Sequence, residues 1–79
     1  MTDNEKAVMA DCCKWLDEFD QPPPKSDPGC DEWWARASGA LAGIGTKHRN
    51  HPLALAVAPA VMDYIEQKWH AINRKRGLE

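Results

Sequence analysis

The apolar residues of this 79-residue chain recur at spacings of three and four, and this period constrains its fold more than any other feature. Such spacing places side chains on one face of an α-helix, whereas a half-buried strand would alternate every second residue. The first stripe consists of Val8, Cys12, Trp15 and Phe19. The second consists of Leu55, Ala58, Met62, Ile65, Trp69 and Ile72. The sequence therefore predicts an all-α protein.

Capping residues and prolines set the limits of the first predicted helix. Thr2 and Glu5 have the spacing of a capping box, so helix 1 is expected over about residues 3–20. The run Pro22-Pro23-Pro24 ends it, because proline has no amide donor and holds the chain near polyproline II. Residues 21–30 are therefore expected to form a proline-rich connector.

Two further helices are expected after the connector. Helix 2 begins at Asp27 or Asp31 and ends near Gly45, since three glycines weaken its second half or allow a close approach of helices. His51-Pro52 is a typical start signal for helix 3, which Pro59 either kinks or breaks. The predicted architecture is a single three-helix bundle covering residues 1–79, with a third helix that is kinked or broken at Pro59.

Length and composition narrow the class of protein. No apolar run approaches the roughly 18–20 residues of a membrane span. The acidic N-terminus lacks the basic region of a signal peptide, so a cytoplasmic location is expected. A core of this size supplies only a few kcal/mol, and natural domains below roughly 80 residues often add a disulfide, a metal or a partner. This limit makes the cysteines and histidines candidates for a stabilising site.

Four of these residues form a candidate zinc site. Three cysteines cannot pair completely, and a reducing cytosol disfavours disulfides. Cys13 and Cys30, with His48 and His51 in an H-x-x-H spacing, form a Cys₂His₂ set that suits tetrahedral zinc. Cys12 is the alternative to Cys13, although its place in the apolar stripe favours the core. Four protein ligands leave no open position, so the predicted zinc is structural and staples the bundle.

Catalysis is not expected from this sequence. It has neither a nucleophile elbow nor a phosphate-binding loop, and a domain this small has little room for a substrate pocket. His70 is interpreted as a surface residue late in helix 3. The four tryptophans are interpreted mainly as core residues. The sequence therefore favours a non-enzymatic protein.

Charge is unevenly distributed along the chain, whose net charge is −2. Residues 1–32 carry nine of the 12 acidic side chains and only three of the 10 basic ones. This acidic third predicts a protein partner with a basic surface and argues against direct binding of nucleic acid. The candidate partner-binding residues are Asp17, Glu18, Asp20, Trp33 and Trp34, with whichever tryptophan faces solvent as the apolar anchor.

Two segments carry a resemblance to a known group of proteins. They are Asp31-Glu32-Trp33-Trp34 and Asn50-His51-Pro52-Leu53-Ala54. Over residues 31–70 the chain resembles small helical proteins of phages and mobile elements, and it is similar in style to anti-CRISPR inhibitors. The resemblance implies a phage-derived inhibitor that acts in the host cytoplasm by blocking the nucleic-acid loading of a defence nuclease. Its implied target is a CRISPR effector nuclease of the Cas9 type, whose nucleic-acid channel is basic.

A small DNA-binding transcriptional regulator is the alternative. It would use helices 2 and 3 as a helix-turn-helix. Its basic residues would be Arg36, Lys47, Arg49, Lys68, Arg74, Lys75 and Arg76. The acidic first third would oppose phosphate binding, and the glycine-rich end of helix 2 lacks base-reading side chains. The inhibitor is therefore the preferred hypothesis.

Overall fold

The computed structural model describes all 79 residues and contains three α-helices and no strand. They are α1 (Asp3–Glu18), α2 (Cys30–Lys47) and α3 (Pro52–Lys75). Asp11 contacts Lys47 towards one end of the bundle and Phe19 contacts Trp33 towards the other, so α1 and α2 are antiparallel. Each helix packs against both of the others. The predicted all-α three-helix bundle is confirmed, and no helix has the length and apolar character of a membrane span.

The start of α1 is fixed by the capping box that the sequence predicts. The Thr2 Oγ1 accepts a hydrogen bond from the Glu5 backbone N–H at 3.1 Å, and Glu5 Oε1 accepts one from the Thr2 N–H at 2.6 Å. The bond from the Thr2 backbone N–H stabilises the Glu5 carboxylate and is the main reason that the pKa of Glu5 lies below its ordinary value. Two orphan amides of the helix terminus are thus satisfied.

The second helix runs through all its glycines to Lys47, two residues beyond the predicted end. A Cβ at Gly39 or Gly43 would meet nothing within 4 Å, so these glycines do not serve a close approach of helices. The helix closes with a bond from the Asn50 N–H to the Gly45 carbonyl at 2.8 Å, the six-to-one bond of a Schellman motif. Arg49 takes the left-handed conformation that this motif requires, with φ of 55°.

Of the two alternatives predicted at Pro59, a kink or a break, the break does not occur, because the third helix is continuous through this residue. Pro59 has no N–H to give the Leu55 carbonyl, but both residues are exposed and water can bond to that carbonyl. The helix begins with His51 as N-cap, whose Nδ1 accepts from the Leu53 N–H at 3.0 Å. It ends in a second Schellman motif at Gly77, where φ is +72°.

Nine buried side chains from all three helices form the core. They are Val8, Cys12, Trp15, Phe19, Ala37, Leu41, Ile44, Ala54 and Ile65. The first predicted stripe lies entirely within this set. The second stripe was predicted to begin at Leu55, but the residue that faces the core is Ala54, one position earlier. Ala54 is 1% exposed, whereas Leu55 is 56% exposed. Leu53, Ala54 and Leu55 are all apolar, so the period alone could not fix which of them faces the core.

Hydrogen bonds hold the proline-rich connector against α3. The Trp69 indole N–H donates to the Pro23 carbonyl at 2.8 Å, and the Lys25 backbone N–H donates to Asn73 Oδ1 at 2.9 Å. The Cys30 thiol also points to the Pro23 carbonyl, at 3.7 Å. The connector is therefore fastened by side chains of α2 and α3, whereas the sequence predicts that a metal fastens it.

Candidate functional site

The four predicted zinc ligands do not come together in the structure. Cys30 begins α2, while His48 and His51 follow its end. The 18 residues of α2 separate them by about 27 Å at 1.5 Å per residue. No group of three or more histidine, cysteine or acidic side chains is placed to hold a metal ion. Cys30 was expected to meet His48 and His51 at one site. It does not, because the two ends of α2 lie at opposite ends of the bundle.

The helix 1 cysteines differ sharply in environment. Cys12 lies in the core at 1% exposure, and burial raises the pKa of its thiol above the ordinary value. Cys13 is exposed and free. The preference for Cys12 as a core residue is thus confirmed, and neither thiol shares a site with the histidines.

Both histidines of the H-x-x-H spacing have partners within the chain. The His48 Nε2–H donates to Asp11 Oδ2 at 2.7 Å, and Lys47 Nζ contacts the same oxygen at 3.0 Å. The hydrogen bonds to His48, which has the larger effect, and to Lys47 lower the pKa of Asp11 below its ordinary value of 3.8. His51 Nδ1 is occupied as the cap of α3. These histidines therefore have observed structural roles in joining α1 to the α2–α3 turn and in starting α3.

The predicted acidic residues are exposed to different degrees. Asp17 and Glu18 lie exposed in the last turn of α1 and form no ion pair. Asp20 pairs with Lys68, whose Nζ lies 2.6 Å from Asp20 Oδ1, and this contact lowers the pKa of Asp20. Only two of the three predicted acids are thus free to meet a charged partner without breaking an existing contact.

Neither predicted tryptophan anchor projects into solvent. Trp33 and Trp34 are both half-buried and pack against the core. Their rings continue a line of aromatic contacts that runs through Phe19, Trp33, Trp34 and Trp69, with centroids 5.0–5.5 Å apart. The Trp34 indole N–H is buried without an acceptor. The tryptophans mainly supply packing, as their interpretation as core residues expects.

A cavity of about 250 Å³ lies between α2 and α3 beside these rings. It is lined by Asp31, Trp34, Glu66, Trp69 and His70. The planes of the two indoles are inclined by 75°, with centroids 5.5 Å apart. Sequence reasoning missed this site, although each helix carries the same signal, an acidic residue three positions before a tryptophan. That spacing places the two side chains of each pair on one helix face.

Comparison with known proteins gives no match: no family model, no curated protein and no solved structure matches this chain. The resemblance to phage inhibitors therefore stays a prediction.

Proposed function

We propose that this protein is a non-catalytic inhibitor that binds the basic surface through which a partner holds nucleic acid. The observation that carries the proposal is the pair Asp17 and Glu18 at the end of α1. Both are exposed and without an ion partner, and no basic residue lies in that last turn. A partner that brings cations to this end of α1 would neutralise both carboxylates.

The position of this pair is unfavourable for the isolated chain. The C-terminal end of a helix carries a partial negative charge, so an acidic residue there typically opposes folding by about 0.3–1 kcal/mol. By contrast, Asp31 and Glu32 lie in the first turn of α2, where the same dipole stabilises acids. The contribution of Asp31 and Glu32 to helix stability therefore accounts for their positions in α2. No such contribution accounts for Asp17 and Glu18 at the end of α1.

The proposed target is an effector nuclease of the Cas9 type, as the resemblance implies. Its heteroduplex lies in a positively charged channel, and complementary charge speeds the encounter of two proteins. Charge alone seldom gives tight binding, so a partner would also need an apolar anchor. Neither Trp33 nor Trp34 projects fully into solvent, so the proposed anchor is the accessible part of these two half-buried indoles.

Existing contacts of the basic residues count against the DNA-binding alternative. Lys47 pairs with Asp11, and Lys68 pairs with Asp20. Arg74 and Lys75 lie in the last turn of α3, where cations stabilise the helix dipole. Four of the seven basic residues of a DNA-binding face thus have a structural role. Tight, steeply salt-dependent binding to generic duplex DNA would reverse this preference.

Charge reversal tests the proposed surface. The double variant Asp17→Lys and Glu18→Lys should keep the helical circular dichroism and lower the association rate with a guide-loaded Cas9-type nuclease. Asp63→Lys is the control, since it reverses an exposed acid on α3. We expect the difference from the wild type to shrink as salt rises. An unchanged rate and salt dependence would refute the acidic surface, and a nuclease that neither binds nor is inhibited would refute the target.

A further inference from the structure

We propose that the cavity between α2 and α3 is a binding site for an organic cation, an alkylated ammonium or a guanidinium group. The site consists of two tryptophans and two carboxylates, with His70 at its side. Aromatic faces attract such cations through the ring quadrupole, and carboxylates add direct charge attraction. This inference does not depend on the function proposed above.

The shape of the cavity fits a small cationic group. Trp34 and Trp69 are close to perpendicular, so a face of each ring can form a wall of one corner. The volume of about 250 Å³ lies below the roughly 300 Å³ at which pockets for larger ligands begin. A single head group or one side chain is therefore the size of ligand expected.

The carboxylates of the site have no partner in the chain. Asp31 and Glu66 take part in no side-chain hydrogen bond and no ion pair, whereas Asp11 and Asp20 do. The dipole of α2 accounts for Asp31. Glu66 lies in the interior of α3, where neither a dipole nor a partner accounts for it. Both carboxylates are exposed beside the two indoles and are free to pair with a cation from outside the chain.

The lysine beside the cavity does not occupy it. Lys25 Nζ lies over the Trp69 ring, 5.7 Å from its centroid, but Lys25 does not line the cavity. This contact shows that the Trp69 ring already attracts a cation within the fold. His70 Nδ1 lies 2.6 Å from Glu79 Oε1, so this ring nitrogen already has a partner within the chain.

Titration with choline tests the site, with 3,3-dimethylbutan-1-ol as its neutral isostere. The indole N–H resonances of Trp34 and Trp69 should shift saturably with choline and not with the alcohol. Sodium chloride at equal ionic strength controls for screening. Saturable shifts with both molecules would show a plain apolar cleft and overturn the proposal. So would the absence of saturable binding by choline, by free arginine and by the peptide described below.

Variants connect the binding to the named carboxylates. Glu66→Gln should weaken binding about threefold to tenfold, because it removes an exposed charge close to the cation. Asp63→Asn is the matched control, since this exposed acid lies on α3 outside the cavity. Equal affinities of the wild type and Glu66→Gln would overturn the proposal. Trp34→Leu should abolish binding, and Glu66→Gln decides the matter if that variant fails to fold.

A peptide identifies the source of the cation. The probe is a short neutral peptide with one trimethyl-lysine, compared with the same peptide carrying norleucine. Tighter binding of the trimethyl-lysine peptide than of choline would support a protein side chain as the ligand. Binding of choline or arginine with no gain from the peptide would support a free small molecule.

Discussion

Asp11 joins α1 to the turn between α2 and α3 through two side chains. His48 and Lys47 both bond to its Oδ2, and the carboxylate and imidazole are only 16% and 12% exposed. Partly buried charge-assisted bonds are stronger than exposed ion pairs. At the opposite end, Asn73 performs a similar task, since its fully buried amide oxygen accepts the Lys25 N–H of the connector. Single side chains thus secure both ends of the bundle.

The contacts of Asp11 predict a pH-dependent contribution to stability. Because folding lowers the pKa of Asp11 below 3.8, its stabilisation is complete above that pH and is lost as the pH falls through the folded value. Asp11→Asn should therefore lower the free energy of unfolding by about 1 kcal/mol at pH 7. The deficit should shrink below pH 4. Urea denaturation across this range measures it.

Asp17→Asn is the control for that experiment, because Asp17 is exposed on the same helix without a partner. Its stability should be no lower than that of the wild type at pH 7. A loss in Asp11→Asn that stays constant down to pH 2 would show that packing, and not the carboxylate charge, is responsible.

Removal of the Asn73 amide is expected to loosen the connector. Asn73→Ala deletes the bond to the Lys25 N–H and leaves a small cavity, so the free energy of unfolding should fall by about 1–3 kcal/mol. Cleavage by trypsin at Lys25 should become faster. Gln67→Ala, an exposed change on the same helix, should alter neither measurement. Unchanged cleavage of Asn73→Ala would mean that the contacts of Trp69 and Cys30 with the Pro23 carbonyl are enough to hold the connector.

At the scale of elements, α2 has a lower helix propensity than its length of 18 residues suggests, because it contains three glycines. Gly39 and Gly43 lie exposed on it, and no neighbour occupies the space that a Cβ would take. Glycine in a helix interior opposes folding by roughly 0.5–1 kcal/mol relative to alanine. The helix persists because its other face buries Ala37, Leu41 and Ile44 in the core.

Alanine at these two glycines should stabilise the protein. Gly39→Ala and Gly43→Ala should each add about 0.5–1 kcal/mol, which corresponds to a rise in Tm of several degrees for a chain of this size. Gly77→Ala is the contrasting variant, since its φ of +72° strains any other residue and Tm should fall. Thermal unfolding followed by circular dichroism gives all three values. A lower Tm for Gly39→Ala would reveal a contact on this face that the monomer lacks.

At the scale of the whole molecule, hydrogen bonds donated by two tryptophans reinforce the packing of the bundle. Trp15 donates to the Ala37 carbonyl at 2.9 Å and so links α1 to α2, while Trp69 links α3 to the connector. Cys30 is buried beside the same connector. These contacts give the small core an additional restraint of the kind that was predicted to come from zinc.

Measurements of Tm and of zinc content on the intact chain therefore test whether the protein binds zinc. We expect a chelator to leave Tm unchanged, because Cys30, His48 and His51 already have partners within the chain. Elemental analysis of protein purified without added metal completes the test. About one equivalent of zinc, with a fall in Tm on chelation, would contradict these assignments. Cys30→Ser would then destabilise the fold more than His70→Ala.

Local features of the fold were predictable because they depend on near neighbours in sequence. The capping box at Thr2, the proline connector and the apolar stripe of α1 follow from backbone donors and a 3.6-residue period. The sequence did not determine which face of α3 is buried at its start, because Leu53, Ala54 and Leu55 are all apolar and each fits the helical period. The continuity of α3 through Pro59 also depends on the solvent exposure of Leu55 and Pro59, which the local sequence does not determine.

The amino-acid sequence by itself determined the number of helices, their order and the core face of α1. Only the tertiary structure decided which distant residues meet. It placed Cys30 and His48 at opposite ends of α2, and it brought Glu66 beside Trp34. The physical reason is that helix periodicity fixes positions around one axis, whereas a site on two helices depends on their relative direction and rotation. Those are set by packing of the whole core.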